Sequence, residues 1–433
     1  MFRALFFGIL IVASPVFGES PTEWADSHID SLVEVYRDFH RHPELSFQEE
    51  KTAERLGKQL EKIGATMTRN VGGHGVVAIL ANGEGPTVML RTDLDGLPVT
   101  EETDLVYSSK AKAINAAGNE VGVMHACGHD IHLTNLIGVA QYLASHKDHW
   151  SGTAMFIGQP AEERGAGAKA MLEDGLFERF RKPDFALALH VDANLEAGKM
   201  GYRAGYSLAN VDSVDIEIKG RGGHGAYPHA TIDPIVQAAH LVMDLQTIVS
   251  REVKPIEPAV ITVGSIHGGT KHNVIGNSCE LQITVRSYSD DVRKQLHEAI
   301  KRKAKAVALS ANAEEPTVTI SEGTPSLWND RDLTDRLVPI FKKAIGDDNV
   351  TEGEPSMGGE DFSRYGKAGV PILMFRLGTI EPNRLNRYRQ LGIPAPSLHS
   401  SKYYPDAAPT LKTGIAAMAS AAMELMPPKT KGN

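Results

Sequence analysis

Apolar positions along the chain fall into two regimes. Ile29, Leu32, Val33, Tyr36 and His40 recur at helical spacing, as do Ala53, Leu56, Leu60 and Ile63 before the stop signal Gly64. Short, continuously apolar runs follow: "GVVAIL", "TVMLRTD", "TAMFIG" and "FALALHV", with helices predicted over 135–144 and 166–176. Uninterrupted runs of this length suit strands buried on both faces, and their alternation with helices predicts an α/β architecture. Ligands of such sheets gather at the carboxyl ends of the strands. Polar residues stand there: Asp93 after "VMLRT", Glu162 and Glu163 after "MFIGQPA", and His190 after "FALAL".

The pattern changes after about Lys199. "SVDIEIKG" alternates with period two; a helix is predicted over 232–249, then strands "AVITVGSI" and "ELQITVRSY", a helix over 290–309, and a strand "PTVTIS". The order β-α-β-β-α-β is the split βαβ plan of a small α+β domain. Its alternating strands put one face on helices and the other toward solvent or a partner. From Leu333 the α/β pattern resumes, with a helical run through Leu337, Ile340, Phe341 and Ile345, a strand "PILMFRLG" and a last helix over 411–426. The segment "NRLNRYRQLGIPAPS" reads as a loop. The prediction is a two-domain α/β protein: an α/β/α domain formed by 19–198 and 321–433, with a ferredoxin-like α+β domain, 199–320, inserted in it.

The N-terminus stands apart from both regimes. Met1-Phe2-Arg3 carries one positive charge, "ALFFGILIVA" is apolar, and the small residues Val16 and Gly18 follow. This is the pattern of a secretory signal peptide, residues 1–18, with the mature chain starting near Glu19 in the periplasm or outside the cell. The apolar run is too short to span a bilayer comfortably, and no cysteine follows it to carry a lipid, so no stable membrane anchor is expected. An uncleaved anchor and a buried N-terminal helix are the competing readings. The chain has 433 residues, a net charge of -9 and 42% hydrophobic residues, enough for two full cores. That acidic balance argues against nucleic acid as a partner.

Export makes the two cysteines informative. Exported disulfide-dependent folds are usually small and cysteine-dense, and this chain is neither. Cys279, in "SCELQITV", reads as a buried or half-buried strand residue. Cys127 stands in "MHACGHDIH", among three histidines and an aspartate. The "CGHD" spacing lets a thiolate and an imidazole reach one point from a tight loop. With "QPAEE", His190 and the histidine of "PSLHSSKYY", the candidate ligands are Cys127, His129, Glu163, His190 and His399. A mixed sulfur, nitrogen and oxygen set suits zinc, manganese or cobalt rather than magnesium or calcium. Five ligands exceed one tetrahedral ion; two ions sharing a bridging thiolate or water would use them all. Singly, each residue has a plainer reading: a structural histidine at a strand end, or a solvated pair of glutamates.

In order along the chain, "RTDLDGLP", "MHACGHD", "QPAEERGAGAKAM", "LHV", "GRGGHGAYPHATIDPI", "VRSYSDD", "MGGEDFSRYG" and "LHSSKY" resemble the amidohydrolase branch of the carboxypeptidase G and aminoacylase superfamily. That branch includes hippurate hydrolases and indole-acetyl-amino-acid hydrolases. The resemblance covers nearly all of the expected mature chain and implies a two-metal amidohydrolase holding zinc or manganese, with cobalt or nickel as substitutes. It implies Cys127, His129, Glu163, His190 and His399 as ligands, with Cys127 in the bridging place that an aspartate holds in the wider superfamily. Glu162 matches the general base and Asp93 the carboxylate that orients a ligand histidine. Arg91 stands where the wider superfamily has a metal-binding histidine, as is usual for this branch.

The resemblance makes the inserted domain a lid and dimerisation domain. His224, in "GGHGAYPH", matches a histidine that reaches a neighbouring active site and stabilises an oxyanion; its plainer reading is a turn histidine between glycines. Asn273 and Arg286 match positions that hold the substrate's carbonyl and carboxylate, although Arg286 also fits an ordinary solvent-facing position. Gly358 and Gly359 are expected to let the backbone approach substrate closely. His125, His132 and His229 are left outside the ligand set. The expectation is an exported, metal-dependent hydrolase of N-acyl or N-aroyl amino acids, or of small peptides with a free carboxylate, assembled as a homodimer or homotetramer. A catalytically silent protein that captures amino-acid conjugates on the same fold is the alternative. A purely structural metal protein fits poorly with five ligands beside an extra base.

Overall fold

The first ordered helix shows how local sequence sets the frame. Ser20 caps helix Pro21–Arg41: its hydroxyl accepts from the Glu23 N–H (3.3 Å) while the Glu23 carboxylate accepts from the Ser20 N–H (2.9 Å). Leu32, Tyr36, Phe39 and His40 face inward from this helix. The computed structural model describes residues 18–429, so nearly all of the predicted signal segment lies outside the described residues.

The main sheet has eight strands, in the order Thr66–Val71, Gly75–Asn82, Gly152–Gln159, Thr87–Asp93, Phe185–Glu196, Ile372–Ile380, Met200–Tyr202 and Val350–Glu352. Its centre is parallel: Gly152–Gln159, Thr87–Asp93, Phe185–Glu196 and Ile372–Ile380 run the same way. The first two strands pair antiparallel at one edge. The central strands are buried on both faces, as continuous apolar runs require. Val88, Leu90, Phe156, Leu187 and Phe375 point toward Pro21–Arg41, His129–Ser145, Arg331–Ile345 and Ala407–Leu425. Met89, Met155, Ile157, Ala186 and Met374 point to the other face, where Met171, Phe362 and Tyr365 cover them. Truncating a fully buried Phe156 or Phe375 to alanine costs about 3–5 kcal/mol by analogy with other cores.

The middle of the chain builds a second sheet with its own core. Its order is Ala259–Gly268, Ser278–Ser287, Asn210–Lys219, Thr317–Glu322, all antiparallel, which is ferredoxin-like. Helices Pro234–Thr247 and Asp290–Ser310 close one face over Val214, Ile216, Leu241, Leu281, Ile283, Leu296 and Ile300. The other face exposes Asp215, Glu217, Glu280 and Gln282. The chain crosses between the two sheets twice, and the crossings are tied together: the Val211 N–H donates to Thr324 O (3.0 Å) and the Gly323 N–H to Val211 O (3.0 Å).

Three elements differ from expectation. The segment read as a loop carries helix Pro382–Leu391. Only Leu385 is buried on it, so no apolar period announces it. Its ends hold it: Pro382 opens it, the Glu381 carboxylate accepts from the Asn383 and Arg384 N–H groups, and Gly392 closes it with φ 65°. The helix predicted over 166–176 breaks at Asp174 and Gly175 into Gly167–Glu173 and Leu176–Arg179. The helix predicted from Asn135 starts at His129, because polar His129, Asp130 and His132 are buried on it as fully as its apolar residues. Among the described residues no helix is long and apolar enough to cross a membrane.

Candidate metal centre

The polar residues at the strand ends converge. Gly128, between Cys127 and His129, has φ 74°, and a Cβ there would stand 2.7 Å from Val191 Cγ2. Only glycine suits both conditions, so the loop can turn tightly and throw the thiol and the imidazole to one side. Cys127 Sγ lies 3.6 Å from His190 Nε2. His190 Nδ1 is 2.8 Å from Val191 O, and His129 Nδ1 is 2.8 Å from Asp95 O. In each ring a carbonyl takes the Nδ1 proton, so the Nε2 lone pair faces the centre, the tautomer a ligand needs.

Two groups of donor atoms result, and they share the thiol: Cys127, His129 and His190 in one, Cys127, Glu163 and His399 in the other. His399 Nε2 is 3.5 Å from Glu163 Oε2, and His129 Nε2 is 3.8 Å from Glu163 Oε1. The five expected ligands therefore lie within common reach. His399 comes from a distant loop with φ 68°, and its N–H donates to Ala126 O (2.9 Å), next to Cys127.

The donors fit cations. His129 Nε2 and Glu163 Oε1 are buried without a hydrogen-bond partner, although nearly all such atoms in folded proteins have one. Charge points the same way. Asp93, Asp95, Glu162, Glu163, Glu360 and Asp361 crowd together, with Arg91 as the only guanidinium or ammonium bonded into the cluster among the described residues. Burial pushes the Cys127 thiol well up, and Glu163, Glu162 and Asp93 push it further. Glu162 is pushed well up by burial and by Glu360, and Glu163 to about 7 by burial against the opposing pull of His129. Burial opposes charge on His129, but Asp93, Asp95 and Glu163 outweigh it and raise it to about 10. The cluster holds protons where divalent ions would neutralise it.

Glu162 stands beside this set, with Oε2 3.8 Å from His129 Nε2, and is buried. Arg91 runs under it, donating to Asp93 Oδ2 (2.8 Å), Glu360 Oε1 (2.9 Å) and Asp361 Oδ1 (3.2 Å), and to Gln159 Oε1 (3.1 Å) through Nε. A fixed cation with its donors engaged this way is a structural clamp for the carboxylates.

Asp93 faces two rings, and the expected ligand His129 is one of them, its Nε2 3.5 Å from Asp93 Oδ2. The short contact of Asp93 is to His132 Nδ1 (2.6 Å), and His132 is not in the ligand set. His132 Nε2 accepts from the Val191 N–H (3.0 Å), so it has no lone pair for an ion, although it stands close to Asp93 and His129. At its other nitrogen, Nδ1, His129 is held by the backbone carbonyl of Asp95 (2.8 Å). His129 and His132 lie one turn apart on a helix, so both rings face the strand end where Asp93 sits.

The sequence reading passed over Asp95, Gln159, Glu360 and Asp361. Asp95 follows Asp93 at i+2 in "RTDLDG", and Glu360 and Asp361 follow the two glycines of "MGGED"; that acidic density was the available signal. His125 is buried with neither nitrogen hydrogen-bonded. Cys127 and Cys279 are both free thiols, and Cys279 is buried in its strand.

The smaller sheet contributes less to this cluster. In the same inserted domain, His224 pairs with Val274 on a separate two-stranded ladder, Gly223–His224 with Val274–Ile275, and Asn273 precedes it, its carbonyl accepting from the Gly225 N–H (2.9 Å). Both are exposed, and among the described residues neither bonds to the ligand set. His229 is exposed on the turn Pro228–Ala230. Arg286 is half-buried between the sheets, donating to Met357 O (3.1 Å) and Thr284 Oγ1 (3.1 Å). The close approach at Gly359 is to this chain itself: a Cβ would lie 2.4 Å from Val211 Cγ2. At Gly358 a Cβ would meet Leu208 at 3.4 Å.

Residues 89–424 match the profile of peptidase family M20/M25/M40. The chain is 38% identical over 339 residues to N-acetyl-L-cysteine deacetylase of Bacillus subtilis, covering 77% of each. It is 35% identical over 344 residues to IAA-amino acid hydrolase ILR1-like 2 of Arabidopsis thaliana, covering 78% of this chain and 74% of that one. The structure superposes on the Bacillus subtilis YXEP protein, described as a dinuclear metal-binding peptidase from the M20 family, with TM-score 0.75 and 29% identity, over 93% of this chain and 99% of that one.

Proposed function

The chain belongs to peptidase family M20/M25/M40, in its amidohydrolase branch, and is a metal-dependent amide-bond hydrolase; from that premise we propose that it cleaves N-acyl or N-aroyl amino acids, or small peptides with a free carboxylate. The observation that carries this reading is the pair of donor groups sharing Cys127, with Glu162 beside them. The two relatives are named for an N-acetylated amino acid and for an amino-acid conjugate. Arg286 supports the same class: its Nε and Nη1 are engaged, while Nη2 bonds to nothing among the described residues and can pair with a carboxylate.

Cys127, His129 and His190 would hold one ion and Cys127, Glu163 and His399 the other, with zinc or manganese matching the donors. Such ions supply Lewis acidity that polarises the amide carbonyl and acidifies water. Glu162 takes the proton of the attacking water on its carboxylate and delivers it to the nitrogen of the leaving amine. Burial and Glu360 strengthen its hold on a proton, which suits a group that must accept and then donate. His224 and Asn273, exposed at the two-stranded ladder of the inserted domain, are available to a substrate bound between the domains or to a second copy of the chain, as a homodimer or homotetramer would provide. The signal pattern of residues 1–18 supports export, and the capped helix that starts after Ser20 is where a folded mature chain would begin.

The test is amine release from a panel of acetyl- and hippuryl-type amino acids, with and without a chelator. Activity should vanish on chelation, return with zinc or manganese, and fall at least about tenfold on amides without the α-carboxylate. Turnover indifferent to chelation would remove the metal mechanism. Binding of acyl-amino acids without any cleavage would select the silent capture protein.

A further inference from the structure

We propose that Glu49 is a positioning residue for the base, holding through one carboxylate oxygen the backbone turn from which Glu162 and Glu163 enter the site. The proposal rests on the reading of Glu162 and Glu163 given above, but not on Glu49 touching substrate or ion.

The turn is strained where it matters. The strand Gly152–Gln159 ends at Pro160, and Ala161 follows with φ 48°, fully buried. An L-residue with a side chain is disfavoured in that left-handed region and persists there only when its surroundings hold it. Three successive N–H groups then point to one side. The Ala161 N–H donates to Glu49 Oε1 (2.8 Å), the Glu162 N–H to Asp95 Oδ1 (3.2 Å) and the Glu163 N–H to Asp95 Oδ2 (3.1 Å). A run of convergent N–H groups is an anion-binding nest, and here two carboxylates of the chain itself fill it.

Asp95 reaches the nest from the loop that also fixes His129. Glu49 comes from the N-terminal part of the chain, where it precedes helix Glu50–Lys62 without capping it by its side chain. The same Oε1 accepts a second N–H, from Phe47 (2.8 Å), and Phe47 is also left-handed, with φ 64°. One buried oxygen thus pins two strained residues, one on each side of the contact between the N-terminal segment and the loop of the base. Its other oxygen has no partner, and the carboxyl is completely buried. Among the described residues its carboxylate has no other hydrogen-bond partner.

Two substitutions separate reach from charge. Glu49→Gln keeps an acceptor oxygen at the same distance. Glu49→Asp keeps the charge and draws the oxygen back by one methylene, out of reach of the Ala161 N–H. Two readouts are taken: steady-state hydrolysis of an N-acetyl amino acid with metal content measured on the same samples, and amide hydrogen exchange of Ala161 to Glu163 in the metal-free chain. The expected result for Glu49→Asp is a kcat loss of about tenfold or more, KM within about twofold, unchanged metal content, and exchange at Ala161 faster by about tenfold. Glu49→Gln should stay within about threefold of the parent in both readouts. Ala161→Gly, which adopts φ 48° without strain, should restore part of the kcat lost in Glu49→Asp. Unchanged exchange and kcat in Glu49→Asp would overturn the proposal, as would equal losses in the Asp and Gln variants. The exchange measurement needs no turnover, so a parent protein that cleaves no amide would sink the functional reading and leave this proposal to be judged on exchange alone.

Discussion

The carboxyl end of the large sheet and the turn of the inserted domain that carries His224 are built in opposite ways. At the first, His129, His190 and Glu162 are buried, and each ligand ring is fixed by a carbonyl at 2.8 Å. At the second, His224 and Asn273 are exposed, His224 on a separate ladder of two residues a side and Asn273 just before its other strand. The first holds more negative charge than its own cations neutralise; the second holds one imidazole and one amide. Under the proposed function the difference is a division of labour: among the described residues the donor groups that would hold ions gather at the large sheet, and the residues proposed to meet substrate from the inserted domain stay exposed.

The sharpest way to break that division is at the base. Glu162→Gln should lower kcat about 10³-fold, about 4 kcal/mol of transition-state stabilisation, while metal analysis finds both ions retained. Parent-like turnover in that variant would place the base elsewhere.

A smaller effect concerns the support beneath the ligand helix. His40 lies between Asp130 (2.7 Å) and Glu101 (3.1 Å), all three buried. Burial opposes its charge, but the two carboxylates outweigh it and push it up to about 9. A folded value above the unfolded one means the contribution is fully present below about pH 6.5 and is lost as pH rises through about 9. The size is at most roughly 3 kcal/mol. Denaturant unfolding at a series of pH values should show stability falling across that window, and His40→Gln should flatten the fall. A parent profile that rises over the same window would show that the pair is not formed.

The next effect lies on the other side of the comparison. His224→Ala should lower kcat by roughly 10²-fold, the size seen when one oxyanion donor is lost, and leave metal content and thermal midpoint as in the parent. If it instead stripped metal, the inserted domain would belong to the ion site and the division would fail.

The central strands were legible because burial on both faces leaves an uninterrupted apolar run, and the small sheet because one wet face leaves alternation. The helix Pro382–Leu391 was not, since its polar surface carries no period and its stability resides in Glu381 and Gly392 at its ends. Cys127, His129, Glu163 and His190 could be picked out because each follows an apolar run or sits in a glycine turn, whereas His399, in "PSLHSSKYY", carries neither mark and rests on the family resemblance. What escaped was direction. Asp93 and Asp95 are both plausible partners for a ligand histidine in one dimension. Which ring takes the short contact to the Asp93 carboxylate, and which is held by the Asp95 carbonyl, depends on the helical phase between His129 and His132, and that is set by packing. The missing side chain of Gly359 makes room for Val211 at the crossing between the sheets, a packing demand that a one-dimensional pattern does not carry.

The central claim is that one thiol serves two ions. The measurement that addresses it most directly is the number of divalent ions per chain that survive desalting in the parent, His399→Ala and Cys127→Ala. Two, one and none is the expected series, because His399 belongs to one donor group and Cys127 to both. A Cys127→Ala chain that keeps both ions as firmly as the parent would contradict it.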